Sequence, residues 1–267
     1  TMIPALIYQT WKSKTSLPEN FAHWRASFAR LNPGYTLLLW DDADNRQFIA
    51  EHFAWFLPTY DGFPQEIFRV DAVRYFFLYL HGGIYADLDT QCLKPLEPLR
   101  SQADVVLGWL GNDPTSDQAI PNAIMLSRPR QEFWLLAIAI MLDQVGRHSR
   151  PEYVTGPTVL KAAVEQYGQA YAGERVQQAL ALVRARMGPA LQPAEGRSKV
   201  AVLPGYALYP LDWGDQIHDQ FLRKPMLQKK QVLSDDMAQQ LFPKSFTVTY
   251  WTCSWGDDLS QTHQHTG

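Results

Sequence analysis

Short apolar runs alternate with longer segments of helical periodicity along most of the chain. The apolar runs predict buried strands at 4–10, 36–40, 84–90, 103–109, 122–127, 199–203 and 246–251. Helical spacing predicts helices at 18–31, 65–81, 130–145, 157–167 and 173–187, with a further helix capped by Asp41 or Asp42. Strands that alternate with helices indicate an α/β layer fold.

The composition is that of a globular protein and argues against a general nucleic-acid binder. Hydrophobic residues make up 46% of the 267 positions and charged residues 19%, which excludes a disordered tail. The 24 Lys and Arg against 27 Asp and Glu give a formal net charge of −3, whereas binding to nucleic-acid phosphates needs a strong basic excess. Two cysteines without a CxxC spacing exclude a disulfide framework and a cysteine-built zinc site.

The apolar segments of the sequence are too short for a membrane-spanning helix. The stretch at 134–142 falls well below the roughly 20 residues that cross a bilayer. The first residues lack the long apolar core of a signal peptide. Together with the low cysteine count, these observations predict a soluble protein of a reducing compartment. We expect a bacterial cytoplasmic location, either soluble or peripheral at the inner membrane.

The segment 68–90 contains most of the candidate catalytic and metal-binding residues. Its first part is a predicted helix that is apolar on almost every side, which indicates burial, yet it also contains Asp71 and Arg74. Residues three positions apart lie on one face of a helix, so these two can pair with each other or face a polar ligand. The helix by itself does not distinguish an internal ion pair from a ligand site.

Two carboxylates follow the apolar run 84–86. In an extended Asp87-Leu88-Asp89 they point to the same side, about 7 Å apart, and repel each other unless a cation or a proton lies between them. Open α/β sheets bind ligands at the carboxyl ends of their strands. Hard oxygen ligands suit Mn²⁺ or Mg²⁺, and such ions commonly hold phosphates. The spacing therefore predicts a metal site, with a surface turn as the alternative for a D-x-D taken alone.

The order of residues in this segment resembles the DXD-containing sugar-transfer family. That family includes yeast outer-chain and inositolphosphoceramide mannosyltransferases and bacterial capsule or lipopolysaccharide glycosyltransferases, and the glucosylating clostridial toxins are more distantly similar. The shared motif, with every spacing kept, consists of Asp71, Arg74-Tyr75, Gly82-Gly83-Ile84-Tyr85 and Asp87-Leu88-Asp89. The segments 3–12, 32–35, 122–125 and 155–157 are also similar to family landmarks.

The resemblance implies a GT-A-type glycosyltransferase fold, an α/β fold with a Rossmann-like nucleotide-binding sheet and helices on both faces. It implies a single domain over 1–267, with a nucleotide-sugar-binding half at about 1–127 and an acceptor-side half at about 128–267 that ends in a metal- and phosphate-contacting segment. The implied activity is metal-dependent, retaining transfer of a hexose from a UDP- or GDP-linked donor, with Mn²⁺ or Mg²⁺ as cofactor. The expected acceptor is a saccharide, a lipid-linked glycan or a protein hydroxyl. Each of these acceptors is compatible with peripheral association of the protein with a membrane.

The resemblance also assigns roles to individual residues. The expected catalytic residues are Asp71, Arg74, Asp87 and Asp89. Asp71 and Arg74 hold the donor's sugar and phosphate side, Asp87 reaches the ribose and the metal, and Asp89 is the direct metal ligand. Trp11 lies where an aromatic residue stacks on the base, and Asn122 could touch the transferred sugar. The whole expected donor site comprises Thr10, Trp11, Asp71, Arg74, Tyr75, Gly83, Asp87, Leu88, Asn122, Ser254 and Trp255.

The chain departs from the family pattern near its end. Relatives often have His-His-Trp two residues before Ser-Trp, and a His there helps to hold the metal. This chain reads Thr249-Tyr250-Trp251 before Ser254-Trp255, so no His is available at that position. The C-terminal metal ligand is therefore open, with oxygens of Ser254, Asp257 or Asp258 as candidates.

Two functions of other classes fit parts of the sequence. A haloacid-dehalogenase-type phosphatase also has a D-x-D after a strand and would use Asp87 as nucleophile, but that motif normally opens its domain. A non-catalytic carbohydrate-binding module would use some of the nine Trp residues as platforms, but it gives no reason for Asp71 and Arg74 in a buried helix.

The family resemblance implies that the transferred sugar keeps its anomeric configuration. The acidic residues of the sequence provide one check of this expectation. An inverting enzyme needs a general base beside the acceptor, and a double displacement needs a carboxylate nucleophile. The acidic residues placed in the donor site already have roles there. Asp212 and Asp215 stay open as alternative bases.

Overall fold

The helices and strands come from a computed structural model that describes residues 1–111, 113–212, 214–229 and 231–252. The strands of this part are β1 Leu6–Thr10, β2 Thr36–Trp40, β3 Gly83–Ala86, β4 Thr90–Cys92, β5 Val105–Gly108, β6 Ile124–Ser127, β7 Val200–Leu203 and β8 Thr247–Thr249. The α-helices are α1 Glu19–Leu31, α2 Asp42–His52, α3 Leu57–Gly62, α4 Glu66–His81, α5 Glu132–Gln144, α6 Pro151–Val154, α7 Pro157–Gln169, α8 Glu174–Arg186, α9 Gly205–Leu208, α10 Gln216–His218, α11 Lys224–Lys229 and α12 Asp235–Leu241. Short 3₁₀ turns lie at Ala54–Phe56, Glu97–Leu99 and Pro189–Leu191, and a π-helical turn lies at Asp219–Arg223.

Within the described residues, six strands form one sheet in the order β2-β1-β3-β6-β5-β7. Strand β1 pairs in parallel with β2 and β3, and β5 pairs in parallel with β7, while β6 runs antiparallel to both of its neighbours. The register places Tyr8 opposite Tyr85 and Ala86 opposite Ile124. The carboxyl ends of β1, β2 and β3 therefore meet the amino end of β6 at one edge of the sheet.

Apolar layers cover both faces of this sheet. Tyr8 and Tyr85 point into a core shared with α4 and α5, whereas Ile7 and Ile84 point into a second core with α1 and α9. Neighbouring strand residues face opposite sides, so the continuous apolar runs of the sequence are explained by burial on both faces. The predicted α/β fold with helices on both faces is confirmed.

One predicted strand is interrupted. The sequence predicts extended backbone over 84–90, but β3 ends at Ala86, and a hydrogen bond of 3.1 Å from the Thr90 amide to the Asp87 carbonyl closes a turn. The chain then enters β4, which pairs with β8 in a separate two-stranded sheet. Leu88, at the tip of the turn, is buried in a third apolar cluster together with Trp24. Burial of this side chain draws the backbone out of the main sheet and accounts for the turn.

Most of the additional helices are short. The sequence does not predict α3, α6 or α9 to α12, because segments of three to seven residues contain too few positions to show helical periodicity. Among the described helices, α4 is the longest at 16 residues. None of the described helices is both long and apolar enough to cross a membrane.

Candidate active site

A cavity of about 880 Å³ opens at the edge where β1, β2 and β3 end. The residues that follow these strands line it: Thr10 and Trp11 near the end of β1, Asp42 after β2, and Asp87 after β3. Asn122, just before the antiparallel β6, joins them because β6 begins at the same edge. A cavity of this size is large enough for a nucleotide-sized ligand. The order of strands in the sheet therefore brings distant parts of the sequence to one site.

Arg74 is the centre of a buried network beneath this cavity. Its side chain is 3% exposed, and its guanidinium nitrogens lie 3.2 Å from Asp71 Oδ1 and 3.3 Å from Asp87 Oδ1. The same group donates to the Asn122 carbonyl at 2.8 Å and lies 4.1 Å from the ring centroid of Tyr85. A buried charge requires such partners. Arg74 thus holds α4 against the D-x-D turn. Its ion pair with Asp71, which the sequence allowed, is present, and both residues line the cavity.

Asp71 lies on the cavity wall with both carboxylate oxygens hydrogen-bonded. The Asn122 side chain donates to Oδ1 and the Thr155 hydroxyl donates to Oδ2, each at 3.2 Å. Burial raises the pKa of Asp71 to about 6, and the charge of Asp87 adds to the effect while Arg74 opposes it. Thr155 is a site residue that sequence reasoning did not assign, although its segment resembles the family.

Asp87 is held through one oxygen and partly open to the cavity. The Tyr85 hydroxyl donates to its Oδ1 at 2.5 Å, and its side chain is 33% exposed. Burial raises the pKa of Asp87, while Arg74 and the hydrogen bond from Tyr85 oppose the shift. Asp87 is therefore oriented by two neighbours and still faces the space that a ligand would occupy.

Asp89 is more deeply buried, at 9% exposure. Its Oδ2 accepts hydrogen bonds from the amide and hydroxyl of Thr252, at 2.9 and 3.2 Å. Its Oδ1 is buried and has no hydrogen-bond partner among the described residues. Burial raises the pKa of Asp89 to about 6, and the neighbouring charge of Asp87 adds to the shift. A buried carboxylate with one unpartnered oxygen gains stability from a cation.

The donor atoms at this turn fit Mn²⁺ or Mg²⁺, as the sequence predicts. Both ions prefer oxygen ligands, and Mg²⁺ is commonly held by one or two carboxylates together with the phosphates of a substrate. No group of three or more His, Cys, Asp or Glu side chains that could hold a metal occurs within the described part of the chain. An ion bound by Asp87 and Asp89 therefore needs further oxygen ligands, which a diphosphate provides.

The predicted donor-site residues divide into those that line the cavity and those that do not. Leu88, Thr10, Trp11 and Asn122 line it. Tyr75 is completely buried behind the wall, where its hydroxyl accepts a hydrogen bond from Asn122 and donates to the Thr155 carbonyl at 2.6 Å. Ser254 and Trp255, together with the candidate ligands Asp257 and Asp258, lie outside the described residues.

Gly83 lies at the amino end of β3, whereas the site is at the carboxyl end. Its φ is +98°, and a Cβ added there would lie 2.7 Å from the Leu6 carbonyl oxygen. Glycine is thus required for the close approach of β1 and β3. Gly83 supports the sheet on which the site is built and is not among the described residues that line the cavity.

Sequence reasoning missed several charged residues that line the cavity. They are Lys12, Asp42, Glu66, Arg150, Glu152, Asp219 and Arg223. Three of these carboxylates have cationic partners: Glu66 forms an ion pair with Arg69, Glu152 forms one with Arg150, and Asp219 accepts a hydrogen bond of 2.7 Å from Arg223. Carboxylates outnumber cations among the described lining residues. A diphosphate would therefore meet a negative environment unless a cation is bound with it.

Comparison with known proteins finds a family that matches the segment containing the D-x-D motif. Residues 18–106 match the family described as a glycosyltransferase sugar-binding region containing a DXD motif. This segment is similar to the DXD-type glycosyltransferase sugar-binding region. It contains α4 and the Asp87-Leu88-Asp89 turn, so the resemblance inferred from the sequence is confirmed on the residues that carry it.

Curated yeast proteins are similar over longer stretches. The chain is 47% identical over 123 residues to inositol phosphoceramide mannosyltransferase 3 of Schizosaccharomyces pombe, covering 46% of this chain and 33% of that protein. It is 33% identical over 178 residues to inositol phosphoceramide mannosyltransferase 2 of the same yeast, covering 62% and 47%. It is 34% identical over 171 residues to mannosyl phosphorylinositol ceramide synthase SUR1 of Saccharomyces cerevisiae, covering 62% and 43%. The chain therefore spans between a third and a half of the length of these relatives, and their names agree with the predicted class, glycosyltransferase.

The fold is also found in a solved structure. The "PaToxG Glycosyltransferase" superposes with a TM-score of 0.51 over 92% of this chain and 89% of that one, at 15% sequence identity. At this identity the likeness concerns the fold alone. It confirms the GT-A-type fold that the motif implied.

The expectation of a bacterial cytoplasmic location is wrong. The relatives named above come from two yeasts, which are eukaryotes. The expectation was based on few cysteines and short apolar segments. These features describe the segment of chain itself and do not separate bacterial from eukaryotic proteins.

Proposed function

We propose that this chain is a metal-dependent glycosyltransferase that moves a hexosyl group from a nucleoside-diphosphate sugar to a hydroxyl group. The observation that carries the proposal is the buried, unpartnered Oδ1 of Asp89 beside Asp87, in a large cavity at the ends of the strands. The names of the yeast relatives support mannose as the first sugar to test. They also support an inositol-phosphate lipid as the first acceptor, beside glycans and protein hydroxyls.

Each side chain of the site has a task in this proposal. Asp87 and Asp89 hold Mn²⁺ or Mg²⁺, and the bound ion supplies positive charge against the nucleoside diphosphate as it leaves. Asp71, oriented by Asn122 and Thr155, accepts hydrogen bonds from hydroxyls of the transferred sugar. Arg74 keeps Asp71 and Asp87 in position, since its nitrogens contact both.

The division of the chain into two halves is part of the proposal. Trp11, Asp71 and the D-x-D turn come from the nucleotide-sugar-binding half, about 1–127. The cavity lining also includes Glu152 and Asp219, which come from the half at about 128–267. We assign this second set to the acceptor.

We also propose that transfer retains the anomeric configuration. An inverting enzyme needs a carboxylate that is free to take the acceptor's proton. The two alternatives open from the sequence have other roles: Asp212 accepts a hydrogen bond from the Gly214 amide, and Asp215 caps α10. Neither is among the described residues that line the cavity.

Calorimetry of nucleoside diphosphates with and without Mn²⁺ tests the metal-dependent site. We expect Mn²⁺ to tighten binding of GDP or UDP by about ten-fold or more, and Asp89→Asn to remove that gain together with transfer activity. Asp143→Asn is the matched control, because Asp143 is an exposed carboxylate paired with Arg147. Equal affinity in EDTA, with unchanged activity of Asp89→Asn, would refute the proposal.

The same variant separates the alternatives. A carbohydrate-binding module keeps full sugar affinity in Asp89→Asn. A phosphatase that uses Asp87 as nucleophile hydrolyses phosphomonoesters and needs no sugar acceptor. Tyr85 and Arg74 both contact Asp87 Oδ1, which favours Asp87 as a metal-binding side chain held in position over Asp87 as a nucleophile.

A further inference from the structure

Asp42 and Trp11 follow the ends of the neighbouring strands β2 and β1, and both line the cavity there. The parallel register ends with Thr10 opposite Trp40, and the Trp11 amide continues the pairing with a hydrogen bond of 3.0 Å to the Trp40 carbonyl. Asp42 follows Trp40 by two residues and begins α2. The Asp42 carboxylate and the Trp11 indole therefore leave neighbouring strand ends, and both line the cavity.

The Asp42 carboxylate differs from its acidic neighbours in having no partner. Asp41 and Asp44 form the capping box of α2, whereas Asp42 makes no hydrogen bond or ion pair within the described residues. Burial raises the pKa of Asp42 to about 6, and Glu66, at the start of α4, is the next cause. Glu66 itself is ion-paired with Arg69 at 3.0 Å. A half-buried carboxylate beside a second carboxylate gains most from a ligand that donates hydrogen bonds to it.

We infer that Asp42 contacts the edge of the base of the donor nucleotide and selects guanine over uracil. The inference rests on the proposed function, since it assumes a nucleotide in this cavity. Guanine presents two adjacent donors, N1–H and the N2 amino group, which match the two oxygens of a carboxylate. Uracil presents one N–H between two carbonyl oxygens, and these oxygens would repel the carboxylate. Stacking on Trp11 does not distinguish the two bases, because every base has a π-face. Selection therefore depends on Asp42.

Calorimetry with GDP, inosine diphosphate and UDP, each with Mn²⁺, tests this assignment. Inosine diphosphate lacks the N2 amino group and is otherwise matched to GDP. The wild type should bind GDP at least about ten-fold more tightly than either of the others, because each of them leaves a carboxylate oxygen without a donor. In Asp42→Asn, which offers one acceptor and one donor, we expect GDP affinity to fall about ten-fold and UDP affinity to stay equal or rise.

The matched control is Asp61→Asn, which removes an exposed carboxylate paired with Arg46 and should leave all three affinities unchanged. Melting temperatures of each variant check that it is folded. A carboxylate can also accept hydrogen bonds from ribose hydroxyls. In that case 2′-deoxy-GDP loses affinity, and Asp42→Asn weakens GDP and UDP equally, which overturns the base assignment.

The failures of the two proposals are distinguishable. Wild-type binding of UDP as tight as that of GDP, or of inosine diphosphate as tight as that of GDP, overturns the role of Asp42 and leaves the transferase proposal intact. Binding of none of the three nucleotides contradicts the proposed function itself and the assignment of Asp42 with it.

Discussion

At the scale of single residues, Asp89 combines a proposed functional role with a cost to stability. Its pKa is raised to about 6 by burial and by Asp87, from an ordinary value of 3.8. The folded protein then binds this proton more tightly than the unfolded chain, so the free energy of unfolding falls as pH rises from about 4 to about 6. Without metal, the ionised carboxylate above that range lowers stability, which is common at functional sites.

We therefore predict that in EDTA Asp89→Asn is more stable than the wild type by roughly 1–3 kcal/mol near pH 8. The difference should shrink as the pH falls through about 6 and disappear only below about pH 4, where the carboxyl is protonated in both the folded and the unfolded state. Thermal unfolding followed by circular dichroism across this range measures it. If Asp89→Asn is less stable than the wild type at high pH, or if their difference in free energy of unfolding does not change with pH, then ionisation of Asp89 does not destabilise the folded protein.

The residues of the motif could be predicted from the sequence, but their partners could not. Asp71, Arg74, Asp87 and Asp89 lie within 19 positions of each other, in a pattern with few alternatives. Thr155 is 84 positions from Asp71 in the sequence, and its hydrogen bond depends on how α6 packs against α4. Sequence periodicity contains no information on such a contact.

At the scale of elements, Gly83 at the start of β3 controls how closely the backbones of β1 and β3 approach. Gly83 has a positive φ of +98°, and an added Cβ would meet the backbone oxygen of Leu6 at 2.7 Å. Backbone of β1 cannot move aside without breaking its parallel pairing with β3. The site residues at the other end of β3 depend on this pairing.

Gly83→Ala should lower the free energy of unfolding by about 2–4 kcal/mol, because backbone strain and a steric clash add. Gly188→Ala is the control: its φ is −64°, and an added Cβ meets nothing within 4 Å. That change should leave stability equal or raise it by up to about 1 kcal/mol. Urea unfolding of the two variants compares them, and equal loss in both would contradict the argument.

The elements show where periodicity is sufficient and where it is not. The inner strands of the main sheet, β1, β3, β5 and β6, were predictable because both of their faces are buried, which produces continuous apolar runs. The edge strands β2 and β7 are only partly buried, but they also contain apolar runs. The D-x-D turn was predicted as extended, since Asp87 and Asp89 alternate with Leu88 as they would in a strand. The turn is decided by burial of Leu88 against residues of α1 and α12, which lie far away in the sequence.

At the scale of the whole molecule, the cavity collects acidic residues from both halves of the chain. The strand order β2-β1-β3-β6-β5-β7 cannot be read from local sequence, so Asp42, Glu152 and Asp219 had no signal that placed them at the site. Their presence matters for the reaction, because each added carboxylate is a candidate general base. The stereochemistry therefore depends on what each of them already contacts.

Of these, the two carboxylates from the half at about 128–267, Glu152 and Asp219, already have other contacts. Asp219 is hydrogen-bonded to Arg223 through one oxygen and paired with Lys224 at 3.0 Å through the other. Glu152 is paired with Arg150 through Oε1, and its Oε2 is buried away from the accessible surface. Asp71 has both oxygens bonded, and Asp87 and Asp89 are the proposed metal ligands. The described lining carboxylates on the acceptor side therefore offer no oxygen that is both accessible and unpaired, since the one unpartnered oxygen, Glu152 Oε2, is buried.

We accordingly predict retention, with the acceptor attacking on the face that the departing diphosphate leaves. Proton NMR of the first-formed product from an α-linked donor should show the α-anomer. Glu152→Gln, which keeps the size of the side chain and removes its basicity, should keep kcat within about ten-fold of the wild type, since a general base contributes about 10²–10⁴-fold. A β-anomer from the wild type, with a loss of a hundred-fold or more in Glu152→Gln, would identify Glu152 as the base of an inverting enzyme. A β-anomer with Glu152→Gln still active would place the base elsewhere and would equally refute retention.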